Sequence, residues 1–438
     1  TLFNGNYGVS CAGGSGVMGG NLVTSNSVNG IHCTAGGCVI SGNVVMENGS
    51  YGIYVVTNNL ITNNLIKGNG SYGVYCGGKG VPQTIVDCRI TDNGHGMYIR
   101  FSSPRCRRTA ITNNTGRGMY WYWYNTSGSM SPRFEDCVIS DNGDDGLLTY
   151  LYWPSWSPGN CYPEFTRCQI VSNGGHGVFI DTVAYSTVHP VFSNTVVAWN
   201  REHGIYIETV NDLLVSHCTI ASNSLAGSYY GLYYTIYNAG YLRKVEDSIV
   251  YFHPNSIGAG SDLMTLNVVY SDVEGGPPAG GLSEGCIDAD PQFVDLPNRD
   301  VHLPYGSPCI NPGDGHTEMG VYGKEELAIN DGDPVTGDPV VQLGLEDTAP
   351  SWDGTAVVIR LSNDGSNWCV QAFTNSVVWD LAADLYGGDG SYGSKTVYYM
   401  ALDSASNALS GEAGATVVTE RIEFVLPTVR IVPHDPVY

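Results

Sequence analysis

The sequence predicts an all-β chain: a right-handed parallel β-helix solenoid over residues 1–325 followed by a small β-sandwich over residues 341–438. Three observations carry this. A glycine followed by an aliphatic residue recurs at Gly8, Gly30, Gly52, Gly73, Gly96, Gly118, Gly146, Gly177, Gly204 and Gly231, at intervals of 21 to 31 residues. Asparagine stands four residues before eight of these ten glycines, as Asn4, Asn26, Asn48, Asn69, Asn114, Asn142, Asn173 and Asn200. Near residue 340 a different grammar begins, in which strands are divided by Asp, Asn and Gly turns without that period. Self-similarity at a spacing of roughly 20–50 residues marks units that bury their apolar faces by stacking on one another.

Each early coil holds three short alternating segments separated by turns, as in GVMGGNLVTSNSVNGIHC (16–33) and CVISGNVVMENGSYGIYV (38–55). Alternation of period two points Val23, Ile31 and Cys33 to one side, the pattern of a pleated strand and not of a helix. Asparagine suits the corners because it tolerates left-handed backbone, and its amide can bond the identical amide one coil on, about 4.8 Å away. The first and third residues after each glycine pair as Val9/Cys11, Ile31/Cys33, Ile53/Val55, Val74/Cys76, Met97/Ile99, Val178/Ile180 and Ile205/Ile207, an apolar column that faces the interior. In a second column, Cys88/Ile90, Cys137/Ile139, Cys168/Ile170 and Cys218/Ile220, cysteine reads as a small buried hydrophobe. No C-x-x-C or clustered Cys/His spacing points to a metal.

Composition fits an exported protein, secreted or held at the cell surface. The 438 residues include 57 glycines and no apolar run long enough to cross a membrane, so no membrane insertion is expected. Thr1 enters mid-repeat without a signal peptide, which reads as a mature or trimmed product. Residues 1–240 carry 13 acidic and 11 basic groups, and residues 241–438 carry 29 and 8, so nearly all of the net negative charge is distal. That balance excludes nucleic acid as a partner. Acidic loops at Asp288 and Asp290, and at Asp331 and Asp333, offer oxygen ligands for calcium. Of the thirteen cysteines, Cys286 with Cys309 is the expected bridge and Cys161 with Cys168 a second candidate. No phosphate loop, dinucleotide fingerprint or Ser/His/Asp spacing is present, so no organic cofactor is implied. Of four N-x-S/T sequons, those at Asn48 and Asn69 are ladder asparagines whose amides are needed in the turn.

From about residue 241 the repeat degenerates through DSIVYF (247–252), LNVVYSDVEGG (266–276), DADPQFVD (288–295), SPCINPGD (307–314) and EMGVYG (318–323). These segments resemble the closing region of bacterial extracellular right-handed β-helix proteins, the pectin-lyase-like superfamily. The resemblance covers residues 1–325 and implies the fold alone, since lyases, hydrolases, adhesins and structural proteins share it. Residues 326–340 read as a linker. RLSNDGSNW (360–368), VVWDL (377–381) and KTVYYMALDSASN (395–407) resemble the immunoglobulin-like modules appended to bacterial secreted proteins, with Trp368 in their core. The last segment, RIEFVLPTVRIVPHDPVY, is an extended strand that completes that sheet or pairs with another subunit's open edge.

The residue after each post-glycine aliphatic points outward, and this column reads Tyr54, Tyr75, Tyr98, Tyr120, Leu148, Phe179, Tyr206 and Tyr233. Stacking along the ladder contributes a few tenths to about 1 kcal/mol per pair, and a stripe this long still calls for a cover. A glycan, another subunit or the chain's own longer loops fit that role. The loops WYWYNTSGS (121–129) and LYWPSWSPG (151–159) would bring Trp121, Trp123, Trp153 and Trp156 over the stripe or beside it.

Two positions further along the same strands stand Arg100, Tyr122, Tyr150, Asp181 and Glu208. Asp181 and Glu208 fall on adjacent coils, where like charge raises one carboxyl pKa, as a glycosidase acid and base require. His176 and His203 stack nearby. The triplets Gly94-His95-Gly96 and Gly175-His176-Gly177 are similar to the G-H-G of polygalacturonases, but they sit on the repeat turn, and that family's N-T-D and R-I-K elements are missing. Its catalytic roles are therefore not carried over. A lyase needs a basic residue beside its acids, and Arg100 lies three coils from Asp181. The leading expectation is a non-catalytic structural or adhesive surface protein that binds other copies of itself or cell-surface components, with head-to-tail filament growth from unpaired solenoid ends. The alternative is a polysaccharide hydrolase or lyase, or a glycan-binding protein, using the outward aromatic face.

Overall fold

A computed structural model describes residues 6–303 except 79–81, 125–128, 154–158, 185, 226, 228, 237–241, 261–265 and 280, and beyond them residues 307–310, 319–321, 327–329, 335–336, 340–345, 358–372, 376–388, 393–402 and 418–424. Two compact units divide the chain, residues 1–323 and 324–438.

In the first unit every turn adds one short strand to each of three sheets, and each sheet holds eleven strands in chain order. The first sheet runs from Val9–Cys11 to Asn255–Ala259 and the second from Val17–Gly19 to Leu266–Val269. The third runs from Leu22–Thr24 to Asp272–Val273. Register follows the glycine count: Ile31, Ile53, Val74, Met97, Met119, Leu147, Val178, Ile205 and Leu232 are successive Cα partners. All nine are fully buried. The same inward alternation on the second sheet stacks Phe134, Phe165 and Phe192 at 5.0 and 4.9 Å.

The corner between the third and first sheets has a division of labour that the repeat alone does not reveal. The left-handed residue is not the ladder asparagine but the one before it: Ser25, Glu47, Asp92, Asn113, Asp141, Ser172, Trp199, Ser222 and Phe252 have φ between 51° and 61°. A non-glycine residue there costs about 1–2 kcal/mol, and the asparagine that follows offsets it with hydrogen bonds. Each ladder amide donates Nδ2–H to the Oδ1 of the next asparagine at 2.8–3.1 Å, from Asn26 through Asn48, Asn69, Asn93, Asn114, Asn142, Asn173 and Asn200 to Asn223. That Oδ1 also accepts the preceding asparagine's backbone N–H. Asn93 and Asn223 fill two rungs that lack asparagine four residues before the glycine. His253 ends the ladder, its Nδ1 accepting the Asn223 N–H at 3.2 Å. The recurring glycine is set by close approach: a Cβ on Gly118 would lie 2.6 Å from the Gly146 carbonyl oxygen and 2.8 Å from Asn142 Nδ2.

The corner between the second and third sheets repeats this economy. Asn21, Asn43 and Asn64 stack there by amide bonds, and further along Thr195 and Ser248 accept the N–H of Cys168 and Cys218. The cysteines of this column are buried as expected, and they also do polar work. Cys88, Cys137, Cys168 and Cys218 each turn Sγ–H to the carbonyl two residues back, at 3.3–3.5 Å. The two expected disulfides are absent, and all thirteen thiols are free. Cys309 instead donates to Asp272 Oδ2 at 3.0 Å while Cys286 turns to the Val268 carbonyl, and Cys161 lies in the interior away from the corner held by Cys168.

Phe293, Val301, Leu303, Cys309, Ile310 and Met319 pack with Val196, Ala198, Ala221 and Ile249, so the closing segment covers the outer face of the third sheet. In the second unit Leu327–Ile329, Val340–Leu345 and Ser376–Asp380 form one sheet. A second holds Val335–Thr336, Val418–Phe424, Gly393–Leu402, Val358–Ser362 and Cys369–Ala372, antiparallel except for its first pair. Among the described residues of this unit the buried tryptophan is Trp379, whose Nε1–H bonds Asn363 Oδ1 at 2.6 Å. Trp368, expected in the core, is partly exposed because it closes a turn tied by the Asp364 carboxylate to the N–H groups of Ser366 and Asn367. The C-terminal extension over 425–438 lies outside the described residues.

Candidate functional site

The outward face of the first sheet carries the aromatic column in register: His32, Tyr54, Tyr75, Tyr98, Tyr120, Leu148, Phe179, Tyr206 and Tyr233. Ring centroids follow one another at 4.7 Å (His32 to Tyr54), 4.4 Å (Tyr54 to Tyr75), 5.3 Å (Tyr75 to Tyr98) and 5.5 Å (Tyr98 to Tyr120). Beyond the break at Leu148, Phe179, Tyr206 and Tyr233 continue at 4.7 and 5.4 Å. Rings of the corner flank this column, Tyr51 against Tyr75 and Tyr72 against Tyr98 at one end, His203 against Tyr206 and Tyr230 against Tyr233 at the other. The rings therefore cover one another, and none of the column is fully exposed. Tyr75 is 7% exposed although it points outward. It lies over Gly77, where a Cβ would meet the ring at 2.7 Å, and its hydroxyl meets Arg100 of the next rung.

The tryptophans expected to wall this face do not do so. Trp121 and Trp123 are buried inside the coil, because they stand two and four residues after inward Met119 and period two keeps them inward. Trp153 ends the strand Leu147–Trp153, and its side chain and Trp156 lie outside the described residues. The outward places on the lengthened strands belong to tyrosine. Tyr122 stacks on Tyr150 at 5.6 Å, and Tyr124 on Tyr152 at 4.8 Å. Tyr124 is 42% exposed and opens this patch to solvent. Tyr124 and Tyr152 were legible from the same parity that keeps the tryptophans inward.

Along the second outward row Gly77, Arg100, Tyr122, Tyr150 and Asp181 are successive partners. Asp181 and Glu208 follow directly on the register partners Ile180 and Ile207, so they stand on adjacent turns of the same face. Burial first, then the neighbouring Glu208 carboxyl, push the Asp181 carboxyl up to about 6. The Tyr206 hydroxyl donates to Glu208 Oε1 at 3.0 Å, and burial with this acceptor raises the phenol above its ordinary range. The Thr182 hydroxyl donates to the Glu208 carbonyl and fixes the backbone beneath. Arg100 is remote from the acids, its guanidinium 4.9 Å from the Phe101 ring.

His176 and His203 stack at 5.2 Å beside Tyr206, but they are corner residues. His176 Nδ1 accepts the His203 N–H at 3.1 Å, and His203 Nδ1 accepts the Tyr230 N–H at 2.9 Å. Burial pushes His176 down to about 3 and His203 to about 4, so both are neutral near pH 7. With Nδ1 accepting, His176 carries its proton on Nε2, 3.0 Å from Glu202 Oε2. Among the expected calcium ligands, Asp290 accepts the Gln292 N–H at 2.8 Å and Asp288 faces the Tyr251 hydroxyl at 3.5 Å. Asp331 and Asp333 lie outside the described residues.

A family model described as the right handed beta helix region matches residues 7–161, 61–189 and 155–251, together more than half of the 438 residues. The chain belongs to the right-handed β-helix family. No curated protein matches its sequence. Solved structures similar to this β-helix include pectate lyase Pel9A, at 14% identity and TM-score 0.47 over 70% of this chain and 87% of that one. The A-module of the Azotobacter vinelandii mannuronan C-5 epimerase AlgE6 matches at 14% identity and TM-score 0.47 over 61% of this chain and 79% of its own. Tailspike protein 2 of an Escherichia coli bacteriophage matches at 14% identity and TM-score 0.34 over 96% and 59%. Among the described residues no helix of the β-helix protein is long and apolar enough to cross a membrane.

Proposed function

We propose that this β-helix protein acts on polysaccharide outside the cell, binding a glycan along the outward face of the first sheet and hydrolysing it at Asp181 and Glu208. One observation supports the reading: two carboxyl groups stand on adjacent turns of an outward face, that of Asp181 held up to about 6, at the end of a row that carries the half-buried Tyr122 and Tyr150. Tyrosine rings of this kind give a sugar chain a stacking surface. The acid pair supplies what glycoside hydrolysis needs, a protonated carboxyl beside an ionised one. Asp181 gives its proton to the glycosidic oxygen as the bond from that oxygen to the anomeric carbon breaks. Glu208, held by the Tyr206 hydroxyl, takes a proton from the water that attacks that carbon. The pair finishes with its single proton, now on Glu208.

A second reading, glycan binding without cleavage, is favoured by the closeness of the two carboxyls. Inversion with an attacking water uses carboxyls roughly 6.5–9.5 Å apart, so the substrate must spread two groups that stand on adjacent turns in the free protein. The filament expectation drew on unpaired solenoid ends and the C-terminal extension, which lies outside the described residues, while the rings of the aromatic stripe already cover one another. The lyase option has no base in place, with two rungs between Arg100 and Asp181.

The test is release of reducing ends from a panel of acidic and neutral polysaccharides, with glycan retardation in native gels run beside it. Hydrolysis is expected in the parent chain and is expected to fall at least about 100-fold in Asp181→Asn and in Glu208→Gln. Retardation without hydrolysis, weakened in Tyr124→Ala, selects the second reading. A chain that neither cleaves nor is retarded by any of these glycans overturns both.

A further inference from the structure

Three sulfurs converge at the opening turns of the solenoid. Cys11 and Cys33 are register partners on the first sheet, so stacking sets one thiol beside the other. Cys38 stands at the corner into the second sheet, where its N–H is accepted by Asn59 Oδ1 of the next turn at 2.9 Å. Their Sγ atoms all lie within 4.8 Å of one another, and Cys11 to Cys38 is 3.6 Å. Among the described residues no other group of three or more Cys, His, Asp or Glu side chains brings its ligand atoms this close.

This cluster differs from the corner cysteines further along. Cys88, Cys137, Cys168 and Cys218 each serve a turn by bonding the carbonyl two residues back. Such a role accounts for one thiol at a time and asks for no second sulfur. Three thiolates bound to one metal at about 2.3 Å stand about 3.8–4.0 Å apart, so the separations seen need only small side-chain rotations. Cys33 and Cys38 are buried, and Cys11 is partly exposed, leaving an approach for an ion. We propose that Cys11, Cys33 and Cys38 form a binding site for one thiophilic d10 cation, of which Cu(I) suits three thiolates most closely. The sequence hides it because the ligands are 22 and 5 residues apart and join only when one turn stacks on another. Cysteine binds a metal as its thiolate. Binding therefore releases protons and tightens as pH rises.

The experiment uses the full chain, reduced and with its thiols counted, titrated anaerobically with Cu(I) against a coloured competing chelator. The parent is expected to take one ion per chain at high affinity. Cys11→Ser, at the partly exposed position, is expected to weaken this at least 10-fold, and so is Cys33→Ser. Cys137→Ser, a corner cysteine, is expected to keep it, and a circular-dichroism melt of each variant confirms the fold. Absence of high-affinity uptake by the parent overturns the proposal. Unchanged affinity in a folded Cys11→Ser chain does the same, as does a Cys11–Cys38 disulfide that survives reduction.

Discussion

Asp181 is the residue whose proton bears on both the proposed chemistry and stability. Its carboxyl is held near 6, so as the proposed general acid it is charged and inactive at higher pH. Hydrolysis is therefore expected to fall tenfold per unit as pH rises above about 6, and a pH profile that stays flat to pH 8 contradicts the assignment. The stability sign is opposite to that of an ordinary salt-bridged acid. A carboxyl whose folded pKa is raised binds more protons folded than unfolded between about 4 and 6, so its contribution falls as pH rises through that window. Asp181→Asn should then melt higher than the parent at pH 8 and no higher at pH 4, the usual trade of stability for a working site. His253 runs the other way. Burial pushes it down to about 4. The unfolded chain protonates it near 6.5, so stability present above that pH is lost as pH falls toward 4, on the order of 3 kcal/mol by linkage. His253→Asn, which continues the ladder without a titrating group, is expected to flatten the dependence of the urea midpoint between pH 6.5 and 4.

At the scale of the element, the asparagine ladder holds each turn to the next. Asn114 donates to Asn142 Oδ1 and to the Ile90 carbonyl, and accepts both the backbone and the amide N–H of Asn93. Asn114→Ala would strand several buried polar groups at about 1–3 kcal/mol each, so a loss of at least about 3 kcal/mol in urea unfolding is expected. A loss under 1 kcal/mol would mean that water enters the corner and takes over those bonds. How much of this was legible depends on whether a residue's partner lies at a fixed offset. The glycine column, the inward aliphatics and the outward tyrosines repeat at one rung's spacing, so counting placed them. Asp181 beside Glu208 followed from the same count. Asn93 and Asn223 were missed because short shifts and an insertion move them off the four-residue spacing while the corner keeps its geometry. Trp121 and Trp123 were misjudged by letting a run of aromatics outweigh parity. The left-handed residue was assigned one place late because asparagine was credited with both corner tasks. The cysteine trio crosses a corner between sheets, where no single period applies.

At the scale of the whole solenoid, parallel stacking in chain order means that each turn touches only its neighbours. Cost should then be local along the axis, and the ladder offers a direct measure. Asn48 and Asn200 are six rungs apart, roughly 29 Å at the spacing of adjacent strands. Asn114 and Asn142 are adjacent and share one amide bond. The double variant Asn48→Ala with Asn200→Ala is expected to lose the sum of the two single losses within about 0.5 kcal/mol. Asn114→Ala with Asn142→Ala should lose less than its sum, because the shared bond is removed once and the groups it would have stranded are removed together. Urea unfolding of the four single and two double variants, followed by circular dichroism, gives both coupling energies on one scale. A far pair that couples as strongly as the near pair would mean that strain travels through the rigid core. The stacking that sets the acid pair and the thiol trio would then have to be treated as a collective property of the solenoid, not as the sum of neighbouring turns.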